Sequence, residues 1–247
     1  MDEQMNHGRR PVCGPARLAM ACGVLLGAVA ARADKLKIEN ATVAPCDAKT
    51  ASVQFDISWE HSWRHGSFHD AAWVFFKVRP DDKSPWQPIR LAADKAVNPT
   101  GYGQAQGSTP LEFVVPTGDD GFVGMFVRRA VEGKGPVAAR GVTAVWDLAA
   151  NKGIAEDLKG VSLRPFAIEM VYVAEGPFYL GSGGKELNRF YMYTDGSQER
   201  QPYLVSGAGP LPTGRQPGKL WAAGIAPEDG GQIPASFPNG YSAFYAM

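Results

Sequence analysis

Three histidines in the first half of the chain have a spacing that could hold a metal ion. His61, His65 and His69 follow one another at intervals of four residues. On an α-helix this spacing would place all three imidazoles on one face, where they could ligate zinc. The segment, however, follows an alternating run that ends at Trp59, contains Gly66 and precedes another apolar run. We therefore predict a solvated loop between two strands, and no metal site.

Cys46 is the next candidate, because a thiolate can act as a nucleophile or a metal ligand. It follows Pro45 and precedes Asp47, in a predicted turn. No histidine or second cysteine lies near it in sequence, as a metal site or a nucleophile pair would need. We interpret Cys46 as a tolerated loop cysteine. The alternatives are a reactive thiol and an intermolecular bridge.

The glycines of Gly181–Gly184 follow a predicted strand, as they would in a phosphate-binding loop. Lys185 is followed by Glu186 instead of Ser or Thr, and the first glycines are misplaced, so we predict a turn. The sequence also lacks G-x-S-x-G and H-E-x-x-H, and no catalytic, cofactor-binding or metal-binding residue is predicted. Tyr102 and Trp221 are the candidates for exposed aromatic residues that bind a carbohydrate or a protein. Ordinary packing inside the protein is the favoured interpretation of both.

Residues 1–33 have the pattern of a signal peptide. Arg9, Arg10 and Arg17 precede the apolar run of residues 18–30, and residues 31–33 form a small-x-small cleavage site. The run is too short to span a bilayer, which takes about 20 apolar residues. The alternatives are a lipoprotein signal that is cut before Cys22 and a buried core helix. Removal of residues 1–33 leaves Cys46 as the last cysteine, so the exported domain is expected to need no internal disulfide. The predicted location is the periplasm, the cell surface or the medium.

The composition excludes several classes of protein. The 247 residues include 25 Lys and Arg against 25 Asp and Glu, and the segment 1–33 removes four basic and two acidic ones, which leaves 21 against 23. This balance disfavours a nucleic-acid partner, which requires a basic surface. A hydrophobic content of 45% is sufficient for a packed core. The 29 glycines and 19 prolines, which have no fixed period, indicate many turns.

Residues 34–165 are predicted to form a β-sandwich of the immunoglobulin or fibronectin type. The residues of Val53–Trp59 alternate between apolar and polar types, as in a half-buried strand. Turn signals separate the candidate strands, among them Glu132–Pro136. Seven short strands without an antibody-type disulfide suggest a core filled by tryptophans. The predicted strands are 36–43, 53–59, 72–78, 86–91, 111–115, 122–127 and 141–148, and the core tryptophans are Trp59, Trp63, Trp73, Trp86 and Trp146.

Residues 166–247 are predicted to be the start of a second, loop-rich domain. Strands are expected at 166–173 and 178–180, followed by irregular chain from Lys185 to Pro234. Such a long irregular stretch is unusual unless it is functional or held by something else. The chain stops within an apolar aromatic segment that includes Tyr241, Phe244 and Tyr245. We expect that the natural polypeptide continues past Met247.

Two segments of this second part resemble the formylglycine-generating enzyme (sulfatase-modifying factor) family. Residues 170–182, MVYVAEGPFYLGS, are similar to the opening motif of that domain, and residues 239–247, NGYSAFYAM, are similar to the next one. The first domain also resembles the module that precedes this domain in secreted bacterial members. Its most specific stretches are 54–64 and 70–75.

The resemblance implies a C-type-lectin-like fold for residues 166–247, incomplete in this chain, and an exported parent protein. Enzymes of the family oxidise a sulfatase cysteine to formylglycine with copper held by cysteines near the end of the domain, and calcium often binds the fold. No position of this chain matches those catalytic or copper-binding residues, so the chain alone is expected to be inactive, and no cofactor is expected in it. The alternative is a non-catalytic periplasmic or cell-surface protein that binds carbohydrate or protein.

Overall fold

The computed structural model describes residues 35–91, 104–114, 122–151, 154, 158, 160–183, 186, 189–195, 201–222 and 230–247. The predicted signal peptide and Tyr102 lie outside these ranges. The chain divides into two compact units, one that ends at Val171 and one that spans Tyr172–Ala246. This division falls inside a strand, six residues beyond the predicted domain boundary.

The described residues are mainly β-strand, and their helical structure consists of one 3-10 turn, Leu148–Ala150. Within the described ranges, no helix could span a membrane. The predicted strands of the first unit recur with changed bounds. They are β1 (Lys37–Pro45), β2 (Thr50–His65), β3 (Phe68–Arg79), β4 (Gln87–Pro88), β5 (Leu111–Val114), β6 (Gly124–Arg129), β7 (Gly133–Asp147) and β8 (Ser162–Val173).

Strand β2 pairs with three other strands of the first unit. It pairs antiparallel with β1 along one edge and with β7 along the other. Its backbone pairs with β3 only at the hairpin, where Arg64 pairs with His69 and His65 with Phe68. Strand β3 then pairs with β4, β6 and β8, and β6 pairs with β5. Beyond the turn, the two arms of the hairpin therefore take different neighbours within one continuous sheet.

The core of the first unit lies between the buried faces of these strands. Alternate residues of β2 from Ala51 to Trp59 are buried, as the apolar and polar alternation predicts. Phe55 on β2 contacts Phe76 on β3, with ring centroids 5.4 Å apart. Trp59 and Trp146 are core residues. Trp63, Trp73 and Trp86 are only half-buried, so the prediction that they fill the core is wrong.

The histidine segment is strand and not the predicted solvated loop. His61 and His65 belong to β2 and His69 to β3, and the turn between the strands is short. His61 has φ of 57° where the register with β7 shifts between Trp59 and Ser62. This irregularity allows the strand to continue past Trp59, where the apolar alternation ends.

The predicted turn at Glu132–Pro136 is also largely strand. Strand β7 already begins at Gly133 and pairs with Arg64, Trp63 and Ser62 of β2. Gly133 and Gly135 have positive φ values, so glycine supplies the backbone freedom that the irregular pairing uses. Conversely, the strand predicted over 86–91 is reduced to β4 and an isolated bridge at Leu91.

The second unit has more regular structure than the sequence predicts. Among the described residues, five strands lie within Lys185–Pro234. Four of them form one sheet, in the order 190–192, 220–222, 211–213 and 231–233, and the fifth, 203–205, pairs with the strand at 178–180. Tyr203, Val205, Leu211 and Leu220 form its buried cluster. The strands are β9 (Phe178–Leu180), β10 (Phe190–Met192), β11 (Tyr203–Val205), β12 (Leu211–Thr213), β13 (Leu220–Ala222), β14 (Gly231–Ile233) and β15 (Phe244–Ala246).

Candidate binding surface

The outward face of strands β8, β3 and β6 carries aromatic side chains. On β3, Val74, Phe76 and Val78 point into the core, so the half-buried Trp73 and Phe75 point away from it. Phe126 of β6 pairs with Trp73 across the strands, and their rings are 4.7 Å apart. We call this surface, with Trp73, Phe75, Phe126, Phe166 and Trp86, the aromatic face.

Trp73 lies over a glycine. A Cβ atom on Gly124 would be 2.5, 2.8 and 2.9 Å from three atoms of the six-membered ring of Trp73. Three similar distances place that ring flat against the backbone of β6. Glycine is therefore required here for a close approach, and the opposite side of the indole faces outward from the sheet.

Phe75 and Phe166 form a second aromatic group on the same face. Their rings are stacked, with centroids 4.9 Å apart and planes 8° from parallel. Phe166 of β8 is 37% exposed. The ammonium group of Lys77, two residues after Phe75, lies 5.9 Å from the centre of the Phe166 ring. Such cation-π contacts hold the positive charge beside the aromatic surface.

Two arginines flank Trp86. The guanidinium carbon of Arg79 lies 4.9 Å from the centre of the Trp86 ring, and that of Arg164 lies 4.4 Å from it. Arg79 also forms an ion pair with Asp82, with 2.5 Å between Nη2 and Oδ1. Arg164 is exposed. The aromatic face therefore ends in a group that combines a large ring with two cations.

A buried polar cluster lies at the other end of β3, beside the hairpin. Asp70 is 3% exposed and accepts hydrogen bonds from Trp59 Nε1 at 2.5 Å, from Ser62 Oγ at 2.9 Å and from the backbone N–H of Trp63 at 2.8 Å. Arg129 donates to Ser62 Oγ at 3.1 Å. These bonds fasten β3 to the irregular part of β2.

Glu112 joins two arginines next to this cluster. Its Oε1 lies 3.0 Å from Arg64 Nη1 and 2.5 Å from Arg128 Nη2. Arg64 also donates to the carbonyl oxygens of Arg129 and Ala130, at 2.6 and 2.8 Å. The side chains of Arg64, Glu112 and Arg128 are each less than 20% exposed. The charges are partnered, and the arrangement stabilises the junction between strands.

The nearby Ser62, His69 and Asp70 do not have the arrangement of a hydrolase site. The Ser62 hydroxyl donates its proton to Asp70, so His69 cannot activate it as a nucleophile. Arg128 Nη1 lies 3.1 Å from both ring nitrogens of His69, which places the guanidinium against the imidazole. Burial and then the charge of Arg128 lower the pKa of His69.

The lowered pKa of His69 predicts a loss of stability in mild acid. The unfolded chain binds a proton near pH 6.5, and the folded chain does so only at lower pH. Between the two pKa values the unfolded state holds more protons, so the free energy of unfolding decreases as the pH falls. We expect urea midpoints to fall between pH 7.5 and 5, and to fall less for His69→Gln. His65→Gln, at an exposed position, should keep the original slope, and an unchanged slope for His69→Gln would contradict the assignment.

The other candidates from the sequence are placed as follows. Trp221 is 5% exposed in β13, which agrees with ordinary packing and removes it as a candidate binding residue. Cys46 is disulfide-bonded, which corrects both its interpretation as a tolerated loop cysteine and the expectation of a domain without an internal disulfide. The other cysteines, at positions 13 and 22, lie outside the described ranges. Gly181 is in a turn with φ of 90°.

The copper and calcium that the resemblance implies for a complete domain do not fit the donor groups present. Within the residues that the structure describes, no three His, Cys, Asp or Glu side chains come close enough to hold a metal ion. Cys46 is engaged in its disulfide. No step of chemistry is therefore assigned to either metal in this part of the chain.

The aromatic face could have been found from one signal in the sequence. Residues 72–78, AWVFFKV, are apolar on both sides of the strand, which indicates a central strand buried on both faces. The alternate positions Trp73, Phe75, Lys77 and Arg79 nevertheless change from aromatic to cationic. A face buried in the core would not carry Lys77 and Arg79 without partners.

No family model, no curated protein and no solved structure matches the chain.

Proposed function

We propose that this chain is an exported, non-catalytic protein of the formylglycine-generating enzyme family whose first unit binds carbohydrate on the aromatic face. The observation that carries the binding function is the flat Trp73 ring over Gly124, with the stacked Phe75 and Phe166 rings on the same face. Aromatic rings bind through their large apolar faces and lose little conformational entropy, so they suit the apolar faces of sugar rings.

We also propose that the first unit is a β-sandwich of the immunoglobulin or fibronectin type. Strands β1, β2 and β7 would form one layer and β8, β3, β6 and β5 the other. The separation of β2 from β3 after the hairpin and the contact of Phe55 with Phe76 support this arrangement. In such a sandwich, the outer side of the second layer is the aromatic face.

The packing of the second unit supports the family assignment. The two segments that resemble family motifs, 170–182 and 239–247, contact each other although 56 residues separate them. Gly176 donates its N–H to the carbonyl oxygen of Tyr241 at 3.0 Å. The Tyr172 and Tyr245 rings are 5.1 Å apart. Two motifs of one domain are expected to meet in this way, and we propose the start of a C-type-lectin-like domain.

The carbohydrate proposal is tested by electrophoresis of the purified protein through gels that contain soluble polysaccharides, both neutral and acidic. We expect at least one of them to retard the protein, and Trp73→Ala to weaken the binding about tenfold or more, because central aromatic contacts contribute about 2 kcal/mol. Phe68→Ala, at an exposed position in the hairpin, is the control and should bind normally.

Gly124→Ala provides a second variant that leaves Trp73 itself intact. Its Cβ would displace the indole, so we expect weaker binding together with a shift in tryptophan fluorescence. Thermal unfolding of each variant separates lost binding from lost folding. The proposal is wrong if no polysaccharide retards the protein, or if folded Trp73→Ala and Gly124→Ala proteins bind as the unmodified protein does.

A further inference from the structure

Besides its aromatic rings, the aromatic face carries positively charged side chains that contacts between the rings alone would not need. Lys77 and Arg164 point to the same side as Phe166 and Trp86. Among the described residues, the contacts of these two cations are the cation-π contacts with Phe166 and Trp86. On a protein with equal numbers of basic and acidic residues, two such cations beside the aromatic rings form a local site for negative charge.

The nearby acidic residues do not cancel this charge. Asp82 pairs with Arg79. Asp81 accepts hydrogen bonds from the backbone N–H groups of Lys83 and Ser84 and from Ser84 Oγ, all within its own turn. Next to Trp86, the turn and the adjoining ends of β3 and β8 carry four cations (Lys77, Arg79, Lys83 and Arg164) and two carboxylates, which gives a local net charge of +2. Asp70 and Glu169, the other carboxylates of β3 and β8, occupy alternate positions on the opposite side of the sheet.

The rings and the cations are arranged along one line. Trp73, Phe75, Lys77 and Arg79 occupy alternate positions of β3. At about 3.3 Å per residue, the line from Trp73 to Arg79 is roughly 20 Å long. This shape suits an extended chain of several sugar rings more than a single small molecule. The flat indole at one end and the cations at the other would bind different parts of that chain.

We infer that the ligand of the aromatic face is a linear acidic polysaccharide, with sugar rings on Trp73 and with its carboxylate or sulfate groups on Lys77 and Arg164. The inference rests on the proposed carbohydrate binding and adds the charge of the ligand. A guanidinium can bind either anion through two hydrogen bonds, and an ammonium group through its point charge.

The test uses the full chain and four probes: alginate, which carries carboxylates; chondroitin sulfate, which carries sulfates as well; neutral laminarin; and poly-glutamate as an acidic peptide. We expect one of the acidic polysaccharides to bind most tightly, with an affinity that falls as salt is added. Replacing both Lys77 and Arg164 by Gln should weaken that binding about tenfold. The preference between alginate and chondroitin sulfate identifies the anionic group.

The control variant replaces Lys37 and Arg140, two exposed cations elsewhere in the first unit, by Gln. It removes the same charge and should leave the binding unchanged. Equal losses in both double variants would overturn the inference, because they would indicate unspecific attraction. Poly-glutamate that binds as tightly as the acidic polysaccharides, with no effect of Trp73→Ala, would overturn it in favour of a peptide. Binding of laminarin alone overturns the acidic ligand and leaves carbohydrate binding standing, whereas binding of none of the probes overturns both.

Discussion

Asp70→Ala should lower the free energy of unfolding of the first unit by about 3 to 5 kcal/mol. The carboxylate accepts three hydrogen bonds, from Trp59 Nε1, Ser62 Oγ and the N–H of Trp63, and it is 3% exposed. Alanine would leave these donors inside the protein without a partner and without water. Hydrogen bonds to a charged group contribute about 1.5 to 3 kcal/mol each, and the losses are not additive.

Asp81→Ala is the matched control for this prediction. Asp81 also accepts three hydrogen bonds, from Lys83 N, Ser84 N and Ser84 Oγ, but it lies in an exposed turn where water can replace them. We expect its loss to cost about 1 kcal/mol or less. Urea denaturation followed by tryptophan fluorescence measures both variants. Equal destabilisation by the two would show that the burial of Asp70 has no special importance.

Gly181→Ala should destabilise the second unit by about 3 kcal/mol or more. Gly181 has φ of 90°, which an alanine rarely adopts. An alanine Cβ would also lie 1.9 Å from the carbonyl oxygen of Phe190. Phe190 pairs with Ala222 in the four-stranded sheet, so the backbone cannot move away without disturbing that sheet.

Gly176→Ala, in the same motif, is the control for Gly181→Ala. Nothing lies within 4 Å of the position that its Cβ would occupy, so we expect little change in stability. Proteolysis at increasing urea concentrations, followed by mass spectrometry of the fragments, reports each unit separately. We expect residues 172–246 of Gly181→Ala to be cut at lower urea than in the unmodified protein, and residues 35–171 to be unaffected. Equal protection in both variants would contradict this reason for the glycine.

Much of the strand arrangement of the first unit could be predicted from local sequence. The alternation of Val53, Phe55, Ile57 and Trp59 is a period-two signal, and the structure buries these side chains on one face. The end of β2 could not be predicted in this way. Past Trp59 the strand continues because β7 pairs with it. The buried Ser62 in this part forms hydrogen bonds with Asp70 and Arg129, which come from other strands.

The same limit explains the errors on tryptophans and histidines. A tryptophan contributes the same apolar surface wherever it lies, so its sequence position does not distinguish Trp59 in the core from Trp73 on the outer face. The i, i+4 spacing of His61, His65 and His69 has a geometric meaning only on a helix. On two antiparallel strands it leaves His61 and His65 exposed and buries His69 against Arg128.

The β-rich character of the chain, the positions of most strands and the absence of a recognisable catalytic motif follow from the amino-acid sequence, because these depend on residue type and short spacing. Which side chains contact one another, by contrast, depends on how distant strands pair in the folded chain. The contact of Trp73 with Gly124, the alignment of Phe166 and Arg164 of β8 beside β3, and the meeting of Gly176 with Tyr241 all join residues more than 50 positions apart. Such contacts depend on strand pairing over long loops, which local sequence periodicity does not specify.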